Sequence, residues 1–382
     1  MTTKAEIGEI RLDHVGSLQR PQWLGELGFQ YTEGKATQEE LTAGQNKAIS
    51  ELIAKEEAAG LPVLTDGEFR RRAYHESFGA AVTGYDKVTP YTYRRPQPRE
   101  AREAQPVRQS SGRPGPGPAI VHRLPVKERL SLVRNVILAE YSFAASVATR
   151  PVKVTLIGPD RIFHRFEWET SRKVYPNPYD IFEDVIAIER QMIQELAEAG
   201  CRYVQFDEPS YLDHVDPLFL EEMRARGEDS QQTLEKAIAA TNAIIAGFPE
   251  VNFGVHICRG GGGGQGGRVH REGSYDPIAE RLFNELNVDR YLLEYDSDLA
   301  GGFEPLRLVP KGKVAMLGLV CNNTTDIESA DYLKRRVDEA SHFLPLDQMA
   351  IGPRCGMGNT GEEVMWSKFR VLREVAEDVW RS

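Results

Sequence analysis

Short apolar runs alternate along this chain with longer segments whose apolar positions recur every three or four residues, a pattern of strands interleaved with amphipathic helices. The runs predict eight strands, at Arg11–Val15, Val63–Thr65, Lys153–Ile157, Tyr203–Phe206, Asn252–His256, Arg290–Glu294, Val314–Val320 and Met349–Ile351. The periodic segments predict helices over Gln38–Ala59, Ile181–Ala199, Gln231–Ala246, Pro277–Leu286, Ile327–His342 and Glu362–Val379. Glycine stands just past two of them, at Gly200 and Gly247, where helices commonly end. Such alternation builds an α/β fold with parallel strands. Eight strands with intervening helices fit a closed (β/α)8 TIM barrel better than an open doubly wound sheet. No GxGxxG opens a helix after the first strand, so a dinucleotide site has no support.

The alternation breaks over residues 85–126. TPYTYRRPQP predicts a hairpin there, and SSGRPGPGP beyond it is too rich in Pro and Gly for regular structure. This stretch reads as an insertion after the second strand, with a flexible tip, in a single domain spanning 1–382. The run Gly260–Gly264 lacks the lysine of a phosphate-binding loop and reads as a mobile loop.

Composition narrows the function classes. The 382 residues are 41% hydrophobic and 27% charged, as in a globular protein, and no apolar run reaches the ~18 residues needed to span a bilayer. The amino terminus has no apolar signal region, which predicts a cytoplasmic protein. A net charge of −10 argues against a nucleic-acid partner, and the clusters Arg70-Arg71-Arg72 and Arg94-Arg95 sit among acids that can pair with them. No lipidation motif or basic amphipathic helix suggests membrane attachment. Four cysteines, Cys201, Cys258, Cys321 and Cys355, are too scattered for a disulfide framework.

Active sites of such barrels form at the carboxyl ends of the strands. There this sequence places Gly16-Ser17, Asp66-Gly67-Glu68, Gly158-Pro159-Asp160, Asp207-Glu208, His256-Ile257-Cys258, Glu294-Tyr295-Asp296, Cys321-Asn322-Asn323 and Arg354-Cys355. A His-x-Cys pair in an extended segment points both side chains to one face, and Glu294 and Cys355 end strands on the same rim. One nitrogen, two sulfurs and a carboxylate suit tetrahedral zinc better than magnesium or calcium, and such an electron-rich centre favours a nucleophilic thiol. The residue types alone leave a second reading open, in which the cysteines pack the core and the histidine meets a local hydrogen bond. Cys201 and Cys321 read as core thiols. Glu68, Asp207 and Glu208 read either as helix-start or ion-paired charges or as a site for a substrate ammonium.

Taken together, HVGSLQRP, VLTDGEFRR, TLIGP, VQFDEPSY, GVHIC, LLEYD and IGPRCG resemble, in order and from about residue 11 to 370, the catalytic barrel of cobalamin-independent methionine synthase. They look closer still to its short, single-barrel relatives. The resemblance implies the barrel that this family shares with uroporphyrinogen decarboxylase, and a zinc ion held by His256, Cys258, Glu294 and Cys355. It further implies that Gly16, Ser17, Glu68 and Asp207 hold the amino and carboxylate groups of homocysteine, whose activated sulfur attacks an electrophilic carbon. Three departures stand out. The extra amino-terminal half of full-length members has no counterpart here. Asn323 occupies the place of the family's proton-donating histidine, and Asn cannot protonate a leaving group. Arg165 occupies the place of a tryptophan near the folate, with Trp168 close but shifted. The thiol half of the family's site is therefore better retained than the donor half.

The resulting expectation is a zinc-dependent thiol S-alkyltransferase that methylates homocysteine to methionine from methyltetrahydrofolate or another methyl carrier. Its partners are a small-molecule thiol, homocysteine or coenzyme M, and an alkyl donor; a homo-oligomer is left open. One alternative is an epoxyalkane:coenzyme M transferase. Coenzyme M has no ammonium for Glu68 and Asp207, which favours homocysteine. Corrinoid-dependent methyl transfer from a separate carrier protein is a second alternative, and a metal-free decarboxylase on the same barrel a third. Arg259, Arg268 and His270, in the loop after the fifth strand, are open candidates for substrate contact.

Overall fold

The computed structural model describes residues 3–86, 91–94, 120–260 and 271–380. Six of the eight expected strands form one parallel sheet, in the order Lys153–Ile157, Tyr203–Asp207, Asn252–Ile257, Arg290–Glu294, Val314–Val320 and Met349–Pro353. Every residue in them is buried, which explains why the sequence shows unbroken apolar runs there instead of alternation. The other two expected strands are reduced to single parallel bridges at the two edges of the sheet, Leu12 with Ile351 and Leu64 with Val152. Between these edges run side-chain contacts: Thr65 Oγ1 donates to the Gly16 carbonyl at 2.8 Å, and His14 Nε2 lies 3.2 Å from the Val63 carbonyl. The architecture is α/β around a mostly parallel sheet. No backbone ladder among the described residues completes the expected eight-stranded ring.

Helix positions follow from caps and apolar spacing. Helix Gln38–Ala58 opens with a reciprocal capping box: Thr37 Oγ1 accepts from Glu40 N at 3.1 Å, and Glu40 Oε2 accepts from Thr37 N at 2.7 Å. Helix Ile181–Glu198 buries Ile181, Val185, Ile188, Met192 and Leu196, one face of a 3.6-residue period. The expected helix at Ile327 starts instead at Ala330, because Ser329 Oγ caps it by accepting from Tyr332 N at 3.2 Å. Helix Val136–Val147 escapes sequence reading because apolar residues occupy most of its positions, so that no period stands out. It matters here because its buried face carries Glu140.

Around the stretch expected to be an insertion, the described flanks are β structure. Ile120–Leu132 pairs antiparallel with both Val82–Tyr85 and Tyr91–Arg94. The Pro/Gly-rich tip lies outside the described residues. No described helix is long and apolar enough to cross a membrane.

A charged layer fills the interior below the site. Lys153 Nζ contacts Asp13 Oδ1 at 2.8 Å and Gln205 Oε1 at 2.9 Å. Tyr203 donates its hydroxyl to Asp13 Oδ2 at 2.6 Å, and Arg290 Nη1 lies 3.6 Å from the same oxygen. Burial opposes the Asp13 charge, yet Lys153 and Arg290 outweigh it and hold its carboxyl at about 2. Gln205 links this layer upward by donating to Asp207 Oδ1 at 2.8 Å.

Candidate metal centre

The strand Asn252–Ile257 carries His256 near its end, and Cys258 follows two residues later, so both side chains leave the same face. Cys355 arrives from the segment after Met349–Pro353. The ligand atoms of these three residues all lie within 4.8 Å of one another, and the two sulfurs are 3.5 Å apart. Two thiolates on a tetrahedral zinc sit about 3.8 Å apart, so the donor set and its spacing both fit that ion. A hydrogen bond from Cys355, reinforced by His256, pushes the Cys258 thiol well down toward the thiolate, the form that binds metal. Burial opposes a charged His256, but Cys258 and the Asp207 hydrogen bond push its pKa up to about 10.

Glu294 is not part of that cluster. Its Oε2 accepts from the backbone N–H of Arg259 at 2.7 Å, and its Oε1 lies 3.4 Å from Arg354 Nη1. Burial, then the charge of Cys258, raise its pKa to about 7. The structure thus brings three of the four expected ligands together and holds the fourth against an arginine. Arg354 also pairs with Asp296 Oδ2 at 3.0 Å and donates from Nε to Asn322 Oδ1 at 2.9 Å. Asn322 in turn donates to the Gly356 carbonyl at 2.5 Å. This brace fixes the backbone on either side of Cys355. Only the adjacency of Arg354 to Cys355 hinted at it in the sequence.

Asp207 and Glu68 are both buried. Asp207 Oδ1 sits 3.1 Å from His256 Nδ1, so Nε2, 3.4 Å from the Arg354 carbonyl, is the ring atom available to a metal. Glu68 Oε1 accepts from Thr155 Oγ1 at 2.9 Å and pairs with Arg71 at 3.3 Å. Burial above all, with Asp207 and Asp66 nearby, raises the Glu68 pKa to about 7 despite Arg71. Glu68 also has φ +60°, the one non-glycine residue among those described in the left-handed region, a strained presentation of a kind that clusters at functional sites. Arg71, taken in the sequence as part of a basic cluster, is buried and forms a forked pair with Glu140 at 2.7 and 3.0 Å. Ser17 lies against the loop after Cys355, its carbonyl accepting from Met357 N at 2.7 Å. Gly16 precedes it, joined to Thr65 as described above.

Residues 119–378 match the model of a family described as cobalamin-independent synthase, catalytic domain. The chain belongs to that family. It is a methyltransferase family of methionine biosynthesis. An uncharacterized Bacillus subtilis protein, YxjG, is 32% identical over 97% of this chain and 95% of its own length. A methionine synthase of Saccharolobus solfataricus is 25% identical over 93% of this chain and 90% of its own. A B12-independent methionine synthase from Shewanella sp. W3-18-1, solved in complex with selenomethionine, superposes with a TM-score of 0.75 at 23% identity, covering 98% of both chains.

In this cobalamin-independent synthase domain two residues expected on the donor side, Trp168 and Arg165, are built into the structure. Trp168 is fixed by donating from Nε1 to the Tyr175 carbonyl at 3.0 Å and by stacking under the Arg172 guanidinium. Arg165 is half-buried, and desolvation with Arg161 nearby lowers its pKa to about 10. Cys201 is a core thiol whose Sγ donates to the Tyr203 carbonyl, and burial pushes its pKa up to about 12. Cys321 is half-buried and not part of the sulfur cluster. Arg259 is fully buried and donates to the Gly273 carbonyl at 2.6 Å. Arg268, His270 and most of the glycine run fall outside the described residues.

Proposed function

We propose that this chain is a zinc-dependent S-methyltransferase that converts homocysteine to methionine, with methyltetrahydrofolate or another methyl carrier as donor. The observation that carries the reading is the convergence of His256, Cys258 and Cys355 beside two buried carboxylates, Asp207 and Glu68. His256, Cys258 and Cys355, with Glu294 as the fourth candidate ligand, would hold a zinc ion, which would supply the Lewis acidity that keeps a substrate thiol nucleophilic at neutral pH. Asp207 keeps the His256 ring turned for ligation. Glu68 offers its charge to the substrate ammonium, and the arriving cation favours ionisation of a carboxyl that burial has raised. Gly16 and Ser17, beside the Cys355 loop, are suited to the substrate carboxylate. Fixing both groups on the α-carbon of the amino acid limits the sulfur at its other end to one approach. We further propose a closed (β/α)8 barrel as the scaffold, supported by the two edge bridges and the side-chain contacts between them.

Calorimetric titration of the zinc-loaded protein with homocysteine, and separately with coenzyme M, tests this reading. Homocysteine binding with about one proton released per zinc is the expected result. Preference for coenzyme M would overturn it and favour an epoxide-opening transferase, because a sulfonate thiol has no ammonium for Glu68.

A further inference from the structure

A second group of potential ligands lies outside the sulfur cluster. The short helix Pro159–His164 places Asp160 and His164 on one face, four residues apart, and the 3-10 helix Pro209–His214 brings His214 against them. Their ligand atoms all fall within 4.8 Å of one another. His214 Nε2 is 3.2 Å from Asp160 Oδ2, and His164 Nε2 is 3.6 Å from Asp160 Oδ1. All three side chains are buried, at 0%, 5% and 3% exposure.

Hydrogen bonding leaves this cluster unsatisfied. Asp160 Oδ1 and His164 Nε2 each have no hydrogen-bond partner, though they face each other across that 3.6 Å gap. Buried polar atoms are rarely left so, because each costs its full desolvation penalty. A cation bound between them satisfies both at once: nitrogen and oxygen ligands of a tetrahedral ion sit about 3.3 Å apart, close to the 3.6 Å between these two atoms.

The surroundings hold these ligands in place. Ser230 Oγ lies 2.9 Å from His214 Nδ1 and turns Nε2 toward Asp160, the outer contact a metal-binding imidazole uses. Glu208 accepts from the backbone N–H groups of Asp160 at 2.9 Å and Arg161 at 3.0 Å, fixing the start of the helix. That approach requires glycine at position 158, where an added Cβ would lie 2.1 Å from Glu208 Oε1. Consecutive residues thus serve the two clusters, Asp207 at His256 and Glu208 at Asp160.

We propose that Asp160, His164 and His214 form a second divalent transition-metal site, separate from the sulfur cluster. Two imidazoles and one carboxylate select zinc, cobalt or ferrous iron over calcium and magnesium.

Titrating the full-length, metal-stripped protein with Co2+ separates the two centres, because only thiolate ligands give intense near-ultraviolet charge-transfer bands. The expected result is two Co2+ per chain, one with those bands and one with weak visible absorption alone. His164→Gln and His214→Gln should each weaken the second ion about 10-fold or more while leaving the thiolate bands intact. Saturation at one Co2+ carrying the bands would overturn the second site and leave the sulfur centre standing. One Co2+ without bands, lost in both glutamine variants, would support the second site and count against the sulfur centre. A bandless ion that survives in both variants would be adventitious and would also overturn the proposal.

Discussion

Asp207 Oδ1 lies 3.1 Å from His256 Nδ1, and the same oxygen accepts from Gln205 Nε2 at 2.8 Å. A carboxylate that the sequence offers to a substrate ammonium is therefore engaged by a candidate metal ligand, and through Gln205 it is tied to the charged layer beneath. Outer-shell carboxylates of this kind typically govern metal affinity by 10- to 100-fold. Asp207→Asn should accordingly weaken zinc binding by about that factor, measured by competition with a chelating dye. Unchanged zinc affinity with weakened homocysteine binding would assign Asp207 to the substrate alone.

Cys355 stands 3.5 Å from Cys258 and is braced through Arg354 and Asn322, so its role separates cleanly from folding. Cys355→Ala should lower zinc content well below one per chain and abolish turnover, with the far-ultraviolet dichroism of the native fold retained. Full turnover by the alanine variant would end the zinc-thiolate reading.

How much of this was legible in the sequence depended on whether the signal was local. The strands carrying His256 and Glu294 were readable because burial on both faces leaves continuous apolar runs, and the ends of those runs pointed to the polar residues of the rim. The edge segments near Leu12 and Leu64 read as strands equal to the rest, since apolar character reports burial and not backbone pairing. Separation in the chain hid what remained. Nothing local to Arg71 names Glu140 as its partner, 69 positions away, and nothing local to Arg354 shows that it holds Glu294. Asp160, His164 and His214 lie on two short elements whose packing alone brings them together.

The charged layer yields a stability prediction. Asp13 is the anion shared by Lys153 and Arg290, both fully buried. Asp13→Ala leaves two buried cations without it and should cost about 3–5 kcal/mol in urea unfolding. Lys153→Met should cost less, because Arg290 and the Tyr203 hydroxyl still serve Asp13. A loss below about 1 kcal/mol in the alanine variant, the size of an exposed pair, would show that the layer is solvated in solution.

Next to Asp13, His14 gives stability a pH dependence of known sign. Burial first, then the Lys153 charge, lower its folded pKa to about 4 from 6.5. As pH falls below 6.5 the unfolded chain takes up a proton that the folded protein refuses, so the His14 contribution is present above pH 6.5 and drains away toward pH 4. Glu68 and Glu294, raised to about 7, work in the opposite sense between 4.5 and 7, because there the folded state keeps protons that the unfolded chain releases. A single stability curve mixes these effects, and a difference curve separates them. His14→Gln keeps a donor toward the Val63 carbonyl but cannot titrate. The unfolding free energy of the native protein minus that of the variant should be flat above pH 7 and fall by about 3 kcal/mol between pH 6.5 and 4. A difference that stays level across that window would mean that His14 is already protonated, or already hydrated, in the folded protein.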